Sequence, residues 1–409
     1  MTGDRNSTFL KRSAPPHIGT LILVSGLSAL GMNIHLPSLP NMTEYFGTSY
    51  GMMQLSVSLY LATNGILQIL IGPVSDMLGR RPVILVGIVL FLLATLGCLM
   101  APTVEVFLFF RMCQAVVSVG MVLSRAAVRD MFDQEQAASM IGYVTMGMAV
   151  VPMLGPVLGG SLDQFLGWKA NFWLLTMIAA LTLALVWFDF GETAHKSGKT
   201  LVQQFREYPE LLTSPRFWGY SLACGLSSGA FFAYLGGAPF VGTQIYGLTP
   251  GWLGVYFGAP AAGYILGNYL SGRFSVRIGI NRMVLWGAFI CAFGVALSLL
   301  VTWIGLSNAE TFFGLMVFVG LGNGLAIPNA TSGALSVRPQ LAATASGLSG
   351  AIMLGGGAAL SSLAGALLTV ETGSLPLLTL MLVTSLLGAL AIIVVIRRER
   401  CHQHQRQQR

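Results

Sequence analysis

Charge is what this chain has least of. Only 9% of its 409 residues are Asp, Glu, Lys or Arg, against about 25% in an ordinary soluble domain. So few charges could not cover the surface of a soluble fold of this length. With 54% hydrophobic residues and a mean hydropathy of +0.73, the composition places the chain in lipid. Cysteine is also scarce. The five, Cys98, Cys113, Cys224, Cys291 and Cys401, show no C-x-x-C spacing, which argues against a metal site or a disulfide framework. Four of them fall in apolar stretches and read as small packing residues. No G-x-x-x-x-G-K-[ST] loop appears, so the sequence offers no ATP-binding signature. There is also no nucleophile motif, paired carboxylate or metal cluster in the apolar stretches, which argues against a membrane-embedded enzyme or receptor. No cofactor is expected.

What is present is a series of long apolar runs. A spanning helix needs roughly 20 apolar residues. Twelve stretches qualify: 18–38, 52–73, 81–101, 104–126, 137–161, 168–189, 215–238, 250–272, 281–303, 310–330, 341–365 and 373–396. The first is long for a signal-peptide core and no small-residue cleavage site follows it, so it reads as a permanent span. All of the 22 Lys and Arg except Arg111 and Lys169 fall at alternate loops and at both tails. The positive-inside rule then puts both termini in the cytoplasm. The net charge of +7 is explained by this topology, and no nucleic-acid partner is implied. The longest polar interruption, 190–214, separates two six-helix halves, 18–189 and 215–396, between tails 1–17 and 397–409. A glycine repeat supports the division. Gly72 and Gly79 recur as Gly272 and Gly279, offset by 200 residues, each pair in a basic loop. The expected fold is all-α, with two six-helix halves around a central substrate site.

Several runs are more specific. Gly72-Pro-Val-Ser-Asp76-Met-Leu-Gly79-Arg80-Arg81-Pro82 resembles the signature loop of the major facilitator superfamily. Gly147 through Pro152, Gly155, Pro156, Gly159 and Gly160 resembles that superfamily's antiporter motif. Arg111 with Gln114 resembles its span-four motif, with Ala115 where glycine is usual. Leu36-Pro37-Ser-Leu-Pro40, Ala238-Pro239-Phe240-Val241 and Ala343-Thr344-Ala345-Ser346-Gly347 are similar to the Bcr/CflA group of drug:proton antiporters. The resemblance covers essentially the whole chain. It implies a monomeric, multi-pass protein of the bacterial inner membrane, whose partners are a small-molecule substrate, protons and lipids. The proton gradient would be the energy source.

Physical chemistry gives these residues roles. Asp76, Gly79, Arg80 and Arg81 form a charged gating loop, with Asp130 the natural partner of Arg80. The resemblance implies that Asp76 sits at the start of span eleven, where a helix dipole stabilises an anion. Recurrent glycines in span five permit close helix approach. Arg111, a charge inside a span, is a functional candidate. The resemblance also implies an acidic proton carrier in span one, but that position is Asn33, which cannot titrate. None of the fifteen acidic residues lies deep in a span: Glu44 and Glu105 are near outer ends and Asp189 is at an inner end. His35 titrates in the right range, yet two residues along a helix it points away from Asn33. Candidate cavity residues are Gln54, Tyr60, Asn64, Tyr143, Tyr234, Tyr256, Asn268 and Asn323. Without an inward carboxylate, and with Arg111 present, the cavity favours neutral or anionic compounds over cations. Proton-coupled efflux of largely apolar compounds, such as drugs, is the leading expectation. An uptake carrier or uniporter for a small metabolite is the alternative.

Overall fold

The computed structural model describes residues 15–131, 154–193, 208–338 and 341–407. Every regular element among them is helical. In chain order they are α1 (Ile18–Asn33, running on through a tight turn at Leu36–Ser38 into Leu39–Tyr45), α2 (Tyr50–Leu78), α3 (Arg80–Met100) and α4 (Val104–Gln114, a tight turn at Ala115–Val117, then Ser118–Met131). Then come α5 (154–166), α6 (Lys169–Asp189), α7 (Pro215–Phe240, widening at Val241–Ile245), and α8 (Pro250–Phe257 and Ala259–Ile278). The last four are α9 (Ile280–Trp303), α10 (Ala309–Leu315 and Val317–Ser336), α11 (Ala342–Leu367) and α12 (Leu375–Gln407). Ten of these segments are long and apolar enough to cross a membrane. The eighth is helical but more polar, carrying Asn268, Ser271, Arg273 and Arg277. The fifth is described only over its final turns.

Local chemistry sets the breaks. Pro37 and Pro40 lack the N–H that would continue α1, so the helix tightens and restarts there. Ser49 caps α2, its Oγ accepting from the Met52 N–H at 3.2 Å. The glycine repeat returns as geometry. Gly79 ends α2 at φ +100° and Gly279 ends α8 at φ +90°, an extended positive-φ conformation that costs a side-chain-bearing residue about 1–3 kcal/mol. Gly47 and Gly247 repeat the device at the preceding turn, with φ +59° and +63°.

The basic residues gather at one end of the bundle, here the basic face; the other end is the far face. Between the halves, α2 packs along α11, and α5 packs against α8. Three of the cysteines in apolar stretches are buried and Cys113 is exposed. The C-terminal tail is not simply solvated. It prolongs α12, and Glu399 is held by Arg216 Nε at 2.9 Å, Asn281 Nδ2 at 2.7 Å and Tyr220 Oη at 3.1 Å. A buried-side carboxylate with three donors explains why this basic tail docks on α7 and α9.

Candidate functional site

A cavity of about 270 Å³ lies between the halves. Its walls are mostly apolar, including Met32, Met121, Phe231, Phe232, Leu235, Phe257 and Met353. Its polar groups are Asn33 of α1, Arg125 of α4, Ser228 of α7, Tyr264 of α8 and Asn323 of α10. An apolar pocket with a few polar groups suits a small molecule. Asn33 turns its Nδ2 back to the Ala29 carbonyl at 2.9 Å, which leaves its amide oxygen for other partners. Asn323 Oδ1 is buried with no hydrogen-bond partner among the described residues. Among the described residues, no carboxylate lines this cavity.

A second chamber of about 250 Å³ shares Met121 and Arg125 with the first and reaches the basic face. Its walls include Gly72, Asp76, Arg80, Asp130, Thr344, Ser346 and Gly347. Arg80 Nη1 pairs with Asp76 Oδ1 at 2.7 Å and its Nε with Asp130 Oδ2 at 3.2 Å. The expected Arg80–Asp130 pair is therefore present. Asp76, expected at the start of α11, pairs with Arg80 of its own half, and Thr344, Ser346 and Gly347 from the first turns of α11 line the same chamber. The Arg80 and Arg81 N–H groups donate to Glu192, and Arg81 Nε donates to the Phe190 carbonyl at 2.7 Å. The loop is thus pinned to the end of α6. A Cβ at Gly79 would meet the movable carboxylate end of Glu192, so it is the φ, more than space, that calls for glycine there.

On the far face the halves are shut. Tyr50 Oη donates to the Gly236 carbonyl at 2.8 Å and Gln54 Nε2 donates to Ser361 Oγ at 2.6 Å. The glycines of α5 work on two sides. A Cβ at Gly159 would collide with the Ile34 carbonyl of α1, and one at Gly160 with the Pro250 carbonyl of α8. Gly254 returns the contact against Pro156, and Gly155 lies against Leu30 and Asn33. The antiporter-like run is thus a close seam that ties α1 to the opposite half. Gly147, Pro152 and Tyr143 lie outside the described residues.

Arg111 is fully enclosed in the first half, away from the cavity walls. Its Nη1 donates to Gln114 Oε1 at 2.7 Å, and its Nη2 donates to the Met32 carbonyl at 3.4 Å and His35 Nδ1 at 3.3 Å. The guanidinium also lies over the Tyr60 ring at 4.3 Å, a cation–π contact that gains from desolvation. Gln114 Nε2 continues the network to Thr95 Oγ1 at 2.8 Å. Because guanidinium only donates, His35 Nδ1 acts as an acceptor. His35 faces away from the cavity, as the helical arithmetic requires. Five more candidates lie outside the walls of the cavity. Gln54 bridges the halves, Tyr60 covers Arg111, and Tyr234 Oη donates to the Phe257 carbonyl at 3.3 Å. Tyr256 stacks on Phe313 and Asn268 Nδ2 donates to the Tyr264 carbonyl at 2.8 Å. Asn64 is buried in α2. The cation that does reach the cavity is Arg125, a residue that reads in sequence as a topology charge.

Among known proteins, the family model described as Major Facilitator Superfamily matches residues 21–362. Multidrug resistance protein D of Escherichia coli (strain K12) is 29% identical, covering 91% of this chain and 93% of that protein. The chloramphenicol resistance protein of Pseudomonas aeruginosa is 31% identical, covering 80% of this chain and 78% of that protein. The crystal structure of the peptide transporter POT in complex with sulfate has a TM-score of 0.75 at 14% identity, covering 96% of this chain and 98% of that one, a likeness of fold alone.

Proposed function

We propose that this chain, which belongs to the Major Facilitator Superfamily, exports small, largely apolar, neutral or anionic compounds in exchange for protons. It is a multi-pass membrane transporter and not an enzyme. Antibiotics are the substrates we favour, because the relatives are named for multidrug and chloramphenicol resistance. We place it as a monomer in the bacterial inner membrane, with lipids around it and its basic face in the cytoplasm.

The observation that carries the reading is the chemistry of the central cavity: apolar walls, Asn33 and Asn323 for hydrogen bonds, Arg125 at the passage to the basic face, and no carboxylate among the described residues. An anionic or neutral guest loses little on entering such a site, whereas a cation would lose its hydration without a counter-charge. In this conformer the chamber opens on the basic face and the Tyr50, Gln54 and α5 contacts close the far face. Rocking of the halves would exchange the two conditions. The Asp76–Arg80–Asp130 group would then act as a latch when the basic face closes. Arg111 with Gln114 and His35 would hold α1 and α4 together beside the cavity.

One observation favours a second reading, uptake or uniport without proton coupling. The position that the family resemblance assigns to a proton carrier is Asn33. Proteoliposomes separate the two. With chloramphenicol added and an internal pH dye, coupled exchange gives proton movement that requires substrate. Transport that continues unchanged without a proton gradient would sink the antiport reading. Asp76→Asn in the same vesicles should abolish transport with normal expression; near-normal transport would remove the latch.

A further inference from the structure

We infer that the Asp163 carboxylate is a proton-operated switch on the far-face gate, binding a proton as this face closes and releasing it as this face opens. The inference rests on the alternating-access reading above, not on which substrate is carried.

Asp163 lies beyond the end of the fifth apolar stretch, on the last turn of α5, yet it is only 5% exposed. Its Oδ2 accepts from Asn41 Nδ2 at 2.9 Å. Ser38 lies beside it and is itself held by Asn171 Nδ2 of α6 at 2.9 Å. These partners are neutral. An acid packed against α1 and α6, with no cation against it among the described residues, favours the protonated form. The burial pushes its pKa up to about 6, with Ser38 and Asn41 only partly offsetting this.

The adjacent residue makes the contact with the other half. Gln164 Oε1 accepts from the Gly251 N–H at 3.1 Å, at the start of α8. One turn earlier Gly160 is seated on Pro250. The Leu36–Ser38 turn of α1 packs on the same first turns of α8. Parting the halves on this face breaks the Gln164 and Gly160 contacts that flank Asp163 on α5, and in the proposed switch that opening lets water reach the carboxylate. In water a carboxyl returns to its ordinary pKa near about 4. The proton is taken from and returned to water on the far face, so this switch carries none across.

Other titratable groups on the neighbouring elements are otherwise engaged or distant in chemistry. On α1, His35 is held by Arg111 and Glu44 is exposed. Lys169 of α6 donates to Tyr45 Oη at 3.0 Å. The first turns of α8 bring no charge.

Closing therefore takes up a proton, so lower pH favours the closed far face. Between about pH 7.5 and about pH 5 the closed-to-open ratio should rise about tenfold. The test is a spin-label distance between Leu166→Cys and Leu306→Cys, one in each half, on a background lacking the native cysteines, without substrate or proton gradient. The wild-type side chain at 163 should shift toward the short distance as pH falls. Asp163→Asn should hold one ratio at both pH values, and Asp163→Glu should retain a shift. A full shift in Asp163→Asn, or no shift with Asp163 intact, overturns the inference. The second outcome needs no variant to fold. Because no transport is measured, failure of proton-coupled export would leave this result untouched, and the reverse also holds.

Discussion

In the first half, α4 tightens at Ala115–Val117 and carries Arg111 one turn before that point. In the second half, α10 breaks between Leu315 and Val317, and the buried side chains one turn before are Phe312 and Phe313. The backbone device is the same, as are the positive-φ glycines at 79 and 279. The chemistry hung on it differs. The first half builds a polar network of Arg111, Gln114, Thr95 and His35. The second builds an aromatic cluster, with Phe313 stacked on Tyr256 and edge-on to Tyr234. Repetition of the fold thus fixes where the helices bend, while the first half alone was given the buried cation.

The largest effect that could break this comparison is at Arg111. Arg111→Ala should reduce export to background in a vesicle assay while the protein still purifies as a single species, because Gln114 keeps Thr95 and Tyr60 keeps its packing. Retained export would make Arg111 a packing residue like its aromatic counterparts. Phe313→Ala should behave oppositely: a loss of about 3–5 kcal/mol of stability in detergent melting, with export per folded molecule little changed. The smallest effect compares the glycines. Gly279→Ala should cost about 1–3 kcal/mol for its φ alone. Gly79→Ala should cost slightly more, because its methyl also displaces the Glu192 carboxylate from the Arg80 and Arg81 N–H groups. Equal melting shifts would show that the Glu192 contact adds nothing.

Much of this arrangement is legible in the residues. The apolar runs mark the helices, and the 200-residue glycine offset marks the halves, since only glycine adopts the required φ without strain. The Arg80–Asp130 pair follows from two charges at adjoining helix ends. Asn323 was legible as a cavity residue, being an amide in an otherwise apolar helix, and Asn33 was singled out by the family resemblance. Arg125 was not, because a basic residue near a span end has the same local signal whether it anchors to lipid headgroups or turns inward. The helices are apolar on all sides, so no periodicity tells which face meets the cavity. Tyr60, Gln54 and Tyr234 proved to lie outside the cavity walls for that reason. Asp163 reads as an ordinary helix-end acid. Its burial comes from Ser38 and Asn41, over a hundred positions away, and no local pattern encodes that contact.

The central claim is that a cavity with no carboxylate among its described residues selects against cations. It is tested most directly by measuring export of a neutral compound and a quaternary cation of matched size, by the native chain and by Asn33→Asp. The account predicts that the native chain exports the neutral compound and leaves the cation, and that Asn33→Asp gains cation export with a stronger dependence on pH. Strong, pH-dependent export of the cation by the native chain would contradict it.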